Sequence, residues 1–426
     1  MTTTTIRMTE VKDLLNYTID NNKILEDEMH ITPIGIAFQA EAGIGKTSVV
    51  KQVAEERNMG FTKINVAQMD EVGDIIGYPI TEYECQIAKK VKDADGNVKA
   101  QILPNKVWLT GKQIDSYDKN TLIRQTGKTR MSYAKPAWVP EYNENGNILL
   151  LDDYTRGTKS ITQALMDLIW EHKYISWTLP KHTTVVLTTN PDNGNYNVIG
   201  QDEAEQTRYL LYDVMFDLDA WARWAEKENV DGRCINFVLS YHEQLFNADA
   251  DGNRICNPRS FVMFTNMIRS IKNWDTPESL SFINTISKGC FKDEGGKFSS
   301  MFNLFIRNKM HLLVQPKEML LDGWNTAKDK LENTLYDSDG KYRPDIASLL
   351  ERRFINYVNS WLDSPEKTPV STITNRIIDF IDNEEKGGKM LFSKDLIYHM
   401  VKSITSDHKN QTNKLLFEPK IAMIIS

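Results

Sequence analysis

Apolar residues in the first half of the chain fall into short runs separated by polar stretches with helical spacing. Residues 35–38, 61–66, 148–151 and 183–188 read as buried strands. Residues 46–57 and 158–170 carry apolar positions three and four apart, as a helix packed on a sheet does. Strand–helix alternation of this kind predicts a parallel α/β sheet. From about residue 219 the period becomes helical. Trp221, Trp224 and Ala225 are expected on one face, followed by Ile235, Val238, Leu239 and His242. Further helices are expected over 259–271, 277–291, 299–313, 317–335, 344–362, 372–381 and 394–404. The expected division is an α/β domain over 1–215, a helical segment over 216–290 and a second helical region over 291–426. No repeat of 20–50 residues and no long Ser/Gly/Pro linker interrupts it.

Three segments imitate calcium loops: 93–97 and 249–253 (both Asp-Ala-Asp-Gly-Asn) and 337–340 (Asp-Ser-Asp-Gly). An EF-hand places its Gly sixth and a Glu twelfth. Here Gly comes fourth, so the segments read as tight turns, where Asp-Gly supplies the positive φ. The first lies between 86–91 and 98–103, which predicts a β-hairpin.

Composition narrows the class. The chain has 426 residues, 41% hydrophobic and 26% charged, long enough for a sizeable core without staples. No apolar run approaches the ~18–20 residues that span a bilayer. The first seven residues, Met1 to Arg7, lack the apolar core of a secretory signal, so a cytoplasmic protein with no membrane association is expected. Lys and Arg number 51 against 58 Asp and Glu, a net charge of -7 that disfavours non-specific nucleic-acid binding. Cys85, Cys234, Cys256 and Cys290 are far apart, without metal or redox spacing, and read as reduced, packed thiols.

Candidate chemistry begins at residues 40–47, Ala-Glu-Ala-Gly-Ile-Gly-Lys-Thr, between the first expected strand and its helix. The pattern G-x-x-x-x-G-K-[ST] cradles phosphate in backbone N–H groups at a helix N-terminus. Gly45, Lys46 and Thr47 match it, Gly43 adds freedom, and Ala40 replaces the first glycine. The expected nucleotide contacts are Glu41, Ala42, Gly43, Ile44, Gly45, Lys46, Thr47 and Ser48. Lys46 is expected on the β/γ-phosphates and the Thr47 hydroxyl on Mg²⁺.

A second signal is residues 147–154, four apolar residues and then Asp152 and Asp153. Asp152 is expected to hold Mg²⁺ and Asp153 to act on the attacking water. The second position usually carries Glu, one methylene longer, and general-base geometry is sensitive on that scale. A third signal is the apolar run 185–187 that ends at Asn190, where an amide can orient water or touch the γ-phosphate.

Taken in order, these segments resemble an AAA+ ATPase, and within that class the MoxR-like and dynein-related (midasin-like) group. Residues 73–79 resemble the family's D-x-x-G-x-P segment, and 135–140 its P-x-W-x-P segment. Residues 152–156 resemble D-E-x-N-R, and 164–172 the helix after it. Residues 221–225 resemble W-x-x-W-A, and 257–261 resemble S-P-R-S-W. The likeness covers about residues 9–272. It implies a P-loop NTPase core with a parallel sheet, a helical lid and a helical C-terminal region. It also implies ATP and Mg²⁺ as ligands, Asn190 as sensor 1 and Arg259 as sensor 2. Arg208 best matches the arginine finger, although Thr207 stands where the family has Asp. Arg156 is a second inter-subunit candidate. A finger supplied by a neighbour implies a homo-oligomeric ring, expected to be hexameric.

Three functions fit these residues: a ring ATPase that remodels a protein partner, a nucleic-acid motor or loader, and a nucleotide-gated assembly protein that hydrolyses little. The segment 386–426, with seven Lys against three acids, supports the second, and Asp153 supports the third.

Overall fold

A computed structural model describes residues 4–92, 98–117, 121–191, 203–248, 254–291, 294–363, 369–407, 412 and 415–425. Contacts divide the chain into two units, residues 1–41 with 45–215, and residues 42–44 with 216–426.

The first unit opens with β1 (Thr4–Arg7) and α1 (Met8–Asp27), continues through β2 (Gly35–Gln39) to α2 (Lys46–Glu56), and adds β3 (Gly60–Asn65) and the single turn α3 (Gly73–Ile76). Next come β4 (Pro79–Lys92), β5 (Val98–Thr110), α4 (Gly111–Ser116) and β6 (Thr121–Tyr133). The chain returns to the core with β7 (Asn147–Asp152), α5 (Lys159–Glu171) and the short pair β8 (Lys173–Tyr174) and β9 (Trp177–Thr178). It ends with β10 (Thr183–Thr189), α6 (Glu203–Gln206) and β11 (Tyr209–Met215).

Six of these strands form one sheet in the order β1-β11-β2-β10-β7-β3, parallel throughout. Two of its inner strands are covered on both faces. Every residue of β10 is buried, as is all of β7 except Asp152 at its carboxyl end. Strands covered on both faces read as continuous apolar runs, which is why both were legible in the sequence. The four expected strands and both expected helices form, with ends moved by one or two residues.

The expected hairpin is β4 paired with β5, and its turn, 93–97, lies outside the described residues, as does 249–253. A third strand, β6, pairs with the other edge of β4. This three-stranded antiparallel sheet has a small core of its own around Cys85, Ile87 and Leu109. The third Asp-Gly segment is a turn: Asp337 accepts at its carbonyl from Gly340, whose φ is 74°, and at Oδ1 from Lys341.

The second unit is helical: α7 (Leu218–Lys227), α8 (Gly232–Phe246), α9 (Pro258–Ile268), α10 (Pro277–Cys290), α11 (Lys297–Arg307), α12 (Pro316–Leu321), α13 (Trp324–Leu335), α14 (Pro344–Leu362), α15 (Val370–Glu385), α16 (Lys394–Asp407) and α17 (Pro419–Ile425). One apolar cluster runs from Leu218 to Ile306, built on Phe237, Phe261, Phe264, Phe298 and Phe302. A second runs from Leu313 to Ile421. The expected helix over 317–335 is two helices, because Asp322 and Gly323 are extended and break it. Trp221 and Ala225 are buried as expected, but Trp224 is 38% exposed and leaves that face. Cys85, Cys234 and Cys256 are buried free thiols and Cys290 is half-buried. Among the described residues no helix is long and apolar enough to cross a membrane.

Candidate functional site

The loop between β2 and α2 is shaped by its glycines. Gly45 caps α2 at φ 105°, and Gly43 stands at φ 85°. Both values lie in the region that side chains avoid. Gly43 groups with the second unit, and a Cβ there would fall 2.9 Å from Arg259 Cβ and 2.9 Å from Asn257 Oδ1. Ala40 is buried and donates its N–H to Thr189, so the loop entrance is fixed to β10. That entrance role suits an alanine and explains how the first glycine of the pattern is dispensable here.

Lys46 folds back over the loop. Its ammonium donates to the carbonyls of Ala40 at 2.5 Å and Glu41 at 3.2 Å, and to Asn190 Oδ1 at 3.3 Å. Asn190 is 5% exposed and donates its amide to Asp153 Oδ1 at 3.2 Å. Lys46, Asn190 and Asp153 therefore form one hydrogen-bonded chain across the carboxyl ends of β2, β10 and β7. Open α/β sheets place ligands at that edge.

Beside this chain, Asp152 is held by three donors. Its Oδ1 accepts from Thr47 at 2.9 Å and from Thr188 at 2.5 Å. Its Oδ2 faces the Lys63 ammonium at 2.6 Å. Burial pushes the Asp152 carboxyl up, but the hydrogen bonds from Lys63, Thr188 and Thr47 outweigh it and hold the group below the usual carboxylate range. Thr188 also accepts from the Asp153 N–H at 3.1 Å, which orders the two consecutive acids. Asp153 sits at φ 53°, ψ 41°, a left-handed conformation that Asp tolerates better than Glu.

The donor set fits Mg²⁺. The Thr47 hydroxyl and the Asp152 carboxylate converge as hard oxygens, and Mg²⁺ is commonly held by one or two carboxylates plus water and phosphate oxygens. Among the described residues no group of three His, Cys, Asp or Glu gathers as a metal cluster.

Lys46, Thr47, Asp152, Asp153 and Asn190 are thus brought together, and Arg156 lies 3.7 Å from Asp153. Arg208 lies in the turn after α6, where its N–H donates to the Glu205 carbonyl. Arg259 occupies the first turn of α9, whose start is fixed by reciprocal bonds between Asn257 and Ser260. Sequence reasoning missed Lys63 and Thr188. Of the seven lysines in residues 386–426, Lys386 and Lys420 pair with Asp382, and Lys389 lies over the Tyr336 ring.

The parallel sheet, the glycine loop entering α2 and the acidic end of β7 together form a parallel α/β core with a phosphate-loop-like turn, followed by helices. No family model and no curated protein matches the sequence. Several solved structures are similar in chain path at low identity. A Thermotoga maritima RuvB Holliday junction branch migration motor is 13% identical, over 67% of this chain and 68% of its own, with a TM-score of 0.30. A point mutant of Thermotoga maritima RuvB is 12% identical, over 80% and 86%, with a TM-score of 0.33. A putative ATPase from Cytophaga hutchinsonii is 12% identical, over 93% and 95%, with a TM-score of 0.26.

Proposed function

We propose that the chain is a Mg²⁺-dependent ATPase, MoxR-like within the AAA+ class, that works as a homo-oligomeric ring on a protein partner. Residues 1–215 would be the ATP-binding core, 216–290 the lid and 291–426 the region that gives the protein its particular role. The observation that carries this reading is the hydrogen-bonded chain Lys46–Asn190–Asp153 beside the Thr47–Asp152 pair. It combines a phosphate-binding ammonium, a polar sensor, an acid for the water and a metal-holding pair within one sheet edge.

In this reading the N–H groups of residues 41–48 bind the phosphates, and Lys46 exchanges its loop carbonyls for phosphate oxygens. Thr47 and Asp152 would hold Mg²⁺, which would supply charge neutralisation to the bound phosphates. Asp153 takes the proton from water, with Asn190 fixing its carboxylate. Arg208 of a neighbouring subunit would stabilise the transferring phosphoryl group, and Arg259 would report phosphate loss to the lid.

A second reading is a nucleotide-gated assembly protein with slow turnover. It is favoured by Asp153 being one methylene short and having its carboxylate engaged by both Asn190 and Arg156.

The test is ATP turnover together with gel filtration in ATP and Mg²⁺, for wild type, Lys46→Ala and Arg208→Ala. The ring ATPase reading expects turnover to collapse in both variants, with nucleotide binding lost only in Lys46→Ala. Unchanged turnover in Lys46→Ala would sink it. Tight ATP binding with scarcely measurable turnover in wild type would favour the gated assembly protein.

A further inference from the structure

Lys63 lies on β3, the edge strand that runs parallel to β7 in a register placing Asn65 opposite Asp152. Its side chain is 43% exposed, yet its ammonium reaches Asp152 Oδ2 at 2.6 Å. Oδ1 of the same carboxylate is taken by the hydroxyls of Thr47 and Thr188. Both oxygens are therefore satisfied by the chain alone, and the cation among the three partners is Lys63. A carboxylate 13% exposed beside a tethered ammonium needs no metal for neutrality.

We propose that Lys63 is a positioning residue, a tethered counter-ion that occupies Asp152 in the metal-free protein and yields when Mg²⁺ arrives with nucleotide. The inference rests on the magnesium–nucleotide reading of the site. Its physical basis is competition. Mg²⁺ binds oxygen at about 2.0–2.1 Å and demands near-octahedral geometry. An ammonium and a divalent cation on one carboxylate repel each other. Lys63 has a long, flexible stem and a half-exposed head, so it can leave into solvent at little cost. Two effects follow. Asp152 stays aimed at Thr47 between turnovers, and metal affinity is set lower than the carboxylate alone would give.

Substituting Lys63 should therefore tighten metal binding, a direction opposite to that expected of a residue that helps hold nucleotide. The probe is Mn²⁺ with ADP on the full chain. Bound metal is read from loss of the free Mn²⁺ spin-resonance signal, and nucleotide binding in EDTA from a fluorescent ADP analogue. Lys63→Gln should lower the Mn²⁺ half-saturation about two- to fivefold, the range that one partly exposed ion pair supports. Lys63→Arg, which keeps the cation, should stay near wild type. An unchanged or raised half-saturation in Lys63→Gln overturns the inference, and a stability loss alone would show that the pair merely joins β3 to β7. Lys46→Ala separates this failure from failure of the site reading. If Lys46→Ala binds the analogue as wild type does, the nucleotide reading falls and takes the inference with it.

Discussion

Thr47 donates its hydroxyl proton to Asp152 Oδ1 across 2.9 Å, joining the first turn of α2 to the carboxyl end of β7. The two residues are 105 positions apart, and the bond forms because only β10 separates β7 from β2, the strand that leads into α2. Thr47→Val keeps the branched shape and removes the hydroxyl. ATP turnover should fall by at least about 10–100-fold, the range seen when even outer partners of a metal site are lost. The fluorescent nucleotide should still bind in EDTA, since the loop N–H groups and Lys46 remain. Measuring kcat beside binding in EDTA checks this, and equal losses in both would place Thr47 in general folding instead.

Asp153→Asn tests the acid function proposed for position 153. Asn tolerates the left-handed backbone found there at φ 53°, so the local fold should survive. It cannot take a proton. Turnover should drop about 10²–10⁴-fold, the usual contribution of a general base, while nucleotide binding persists. Asp153→Glu should fall between the two, since the longer arm strains the backbone while restoring the acid. Turnover equal to wild type in both variants would remove Asp153 from the chemistry.

What the sequence made legible and what it hid divide along a physical line. Lys46, Thr47, Asp152, Asp153 and Asn190 each follow a buried strand or open a helix, so a local pattern announces them. Lys63 and Thr188 reach the same carboxylate from neighbouring strands, and only strand order brings them there. The α1 helix was also hidden. Its buried positions are Val11, Leu15, Thr18, Ile19 and Asn22, so two polar residues interrupt the apolar stripe. Asn22 is satisfied by both backbone groups of Ile34 and by Thr184, partners that no local pattern reveals. The β6 strand is exposed along most of its 13 residues and therefore lacks the alternation that marks a half-buried strand.

His172 should make the first unit acid-sensitive. It ends α5 at φ 52°, and burial holds its imidazole down at about 4, with Nε2 lacking a hydrogen-bond partner among the described residues. The unfolded chain binds this proton near the ordinary 6.5, so unfolding is favoured as pH falls from about 6.5 towards 4. The loss should reach about 3 kcal/mol at the acid end. His172→Asn keeps a residue suited to the left-handed position and removes the titration. Denaturant melts at pH 7, 6, 5 and 4 should show the wild-type stability falling more steeply than the variant's; parallel curves would contradict the assignment.

Arg353 provides the corresponding test for the second unit. It is 1% exposed and donates to Glu226 at 2.7 and 3.0 Å, to Asn236 at 3.0 Å and to Gln315 at 2.9 Å. One guanidinium thus ties α14 to α7, to α8 and to the residue that caps α12. Gly232 belongs to the same arrangement, because a Cβ there would fall 1.9 Å from Gln315 Oε1. The Glu226 side chain is 9% exposed, so removing Arg353 leaves a buried carboxylate unpaired. Arg353→Met should cost about 3–5 kcal/mol, the range for breaking one side of a buried pair. The double variant Arg353→Met with Glu226→Gln should recover part of this loss, since it removes the stranded charge as well. Arg353→Lys should recover little, because an ammonium cannot serve three separated acceptors from one planar fork. Chemical denaturation of the four proteins decides the matter. A loss under about 1 kcal/mol in Arg353→Met, the scale of an exposed pair, would mean that the network adds no more than a surface contact does.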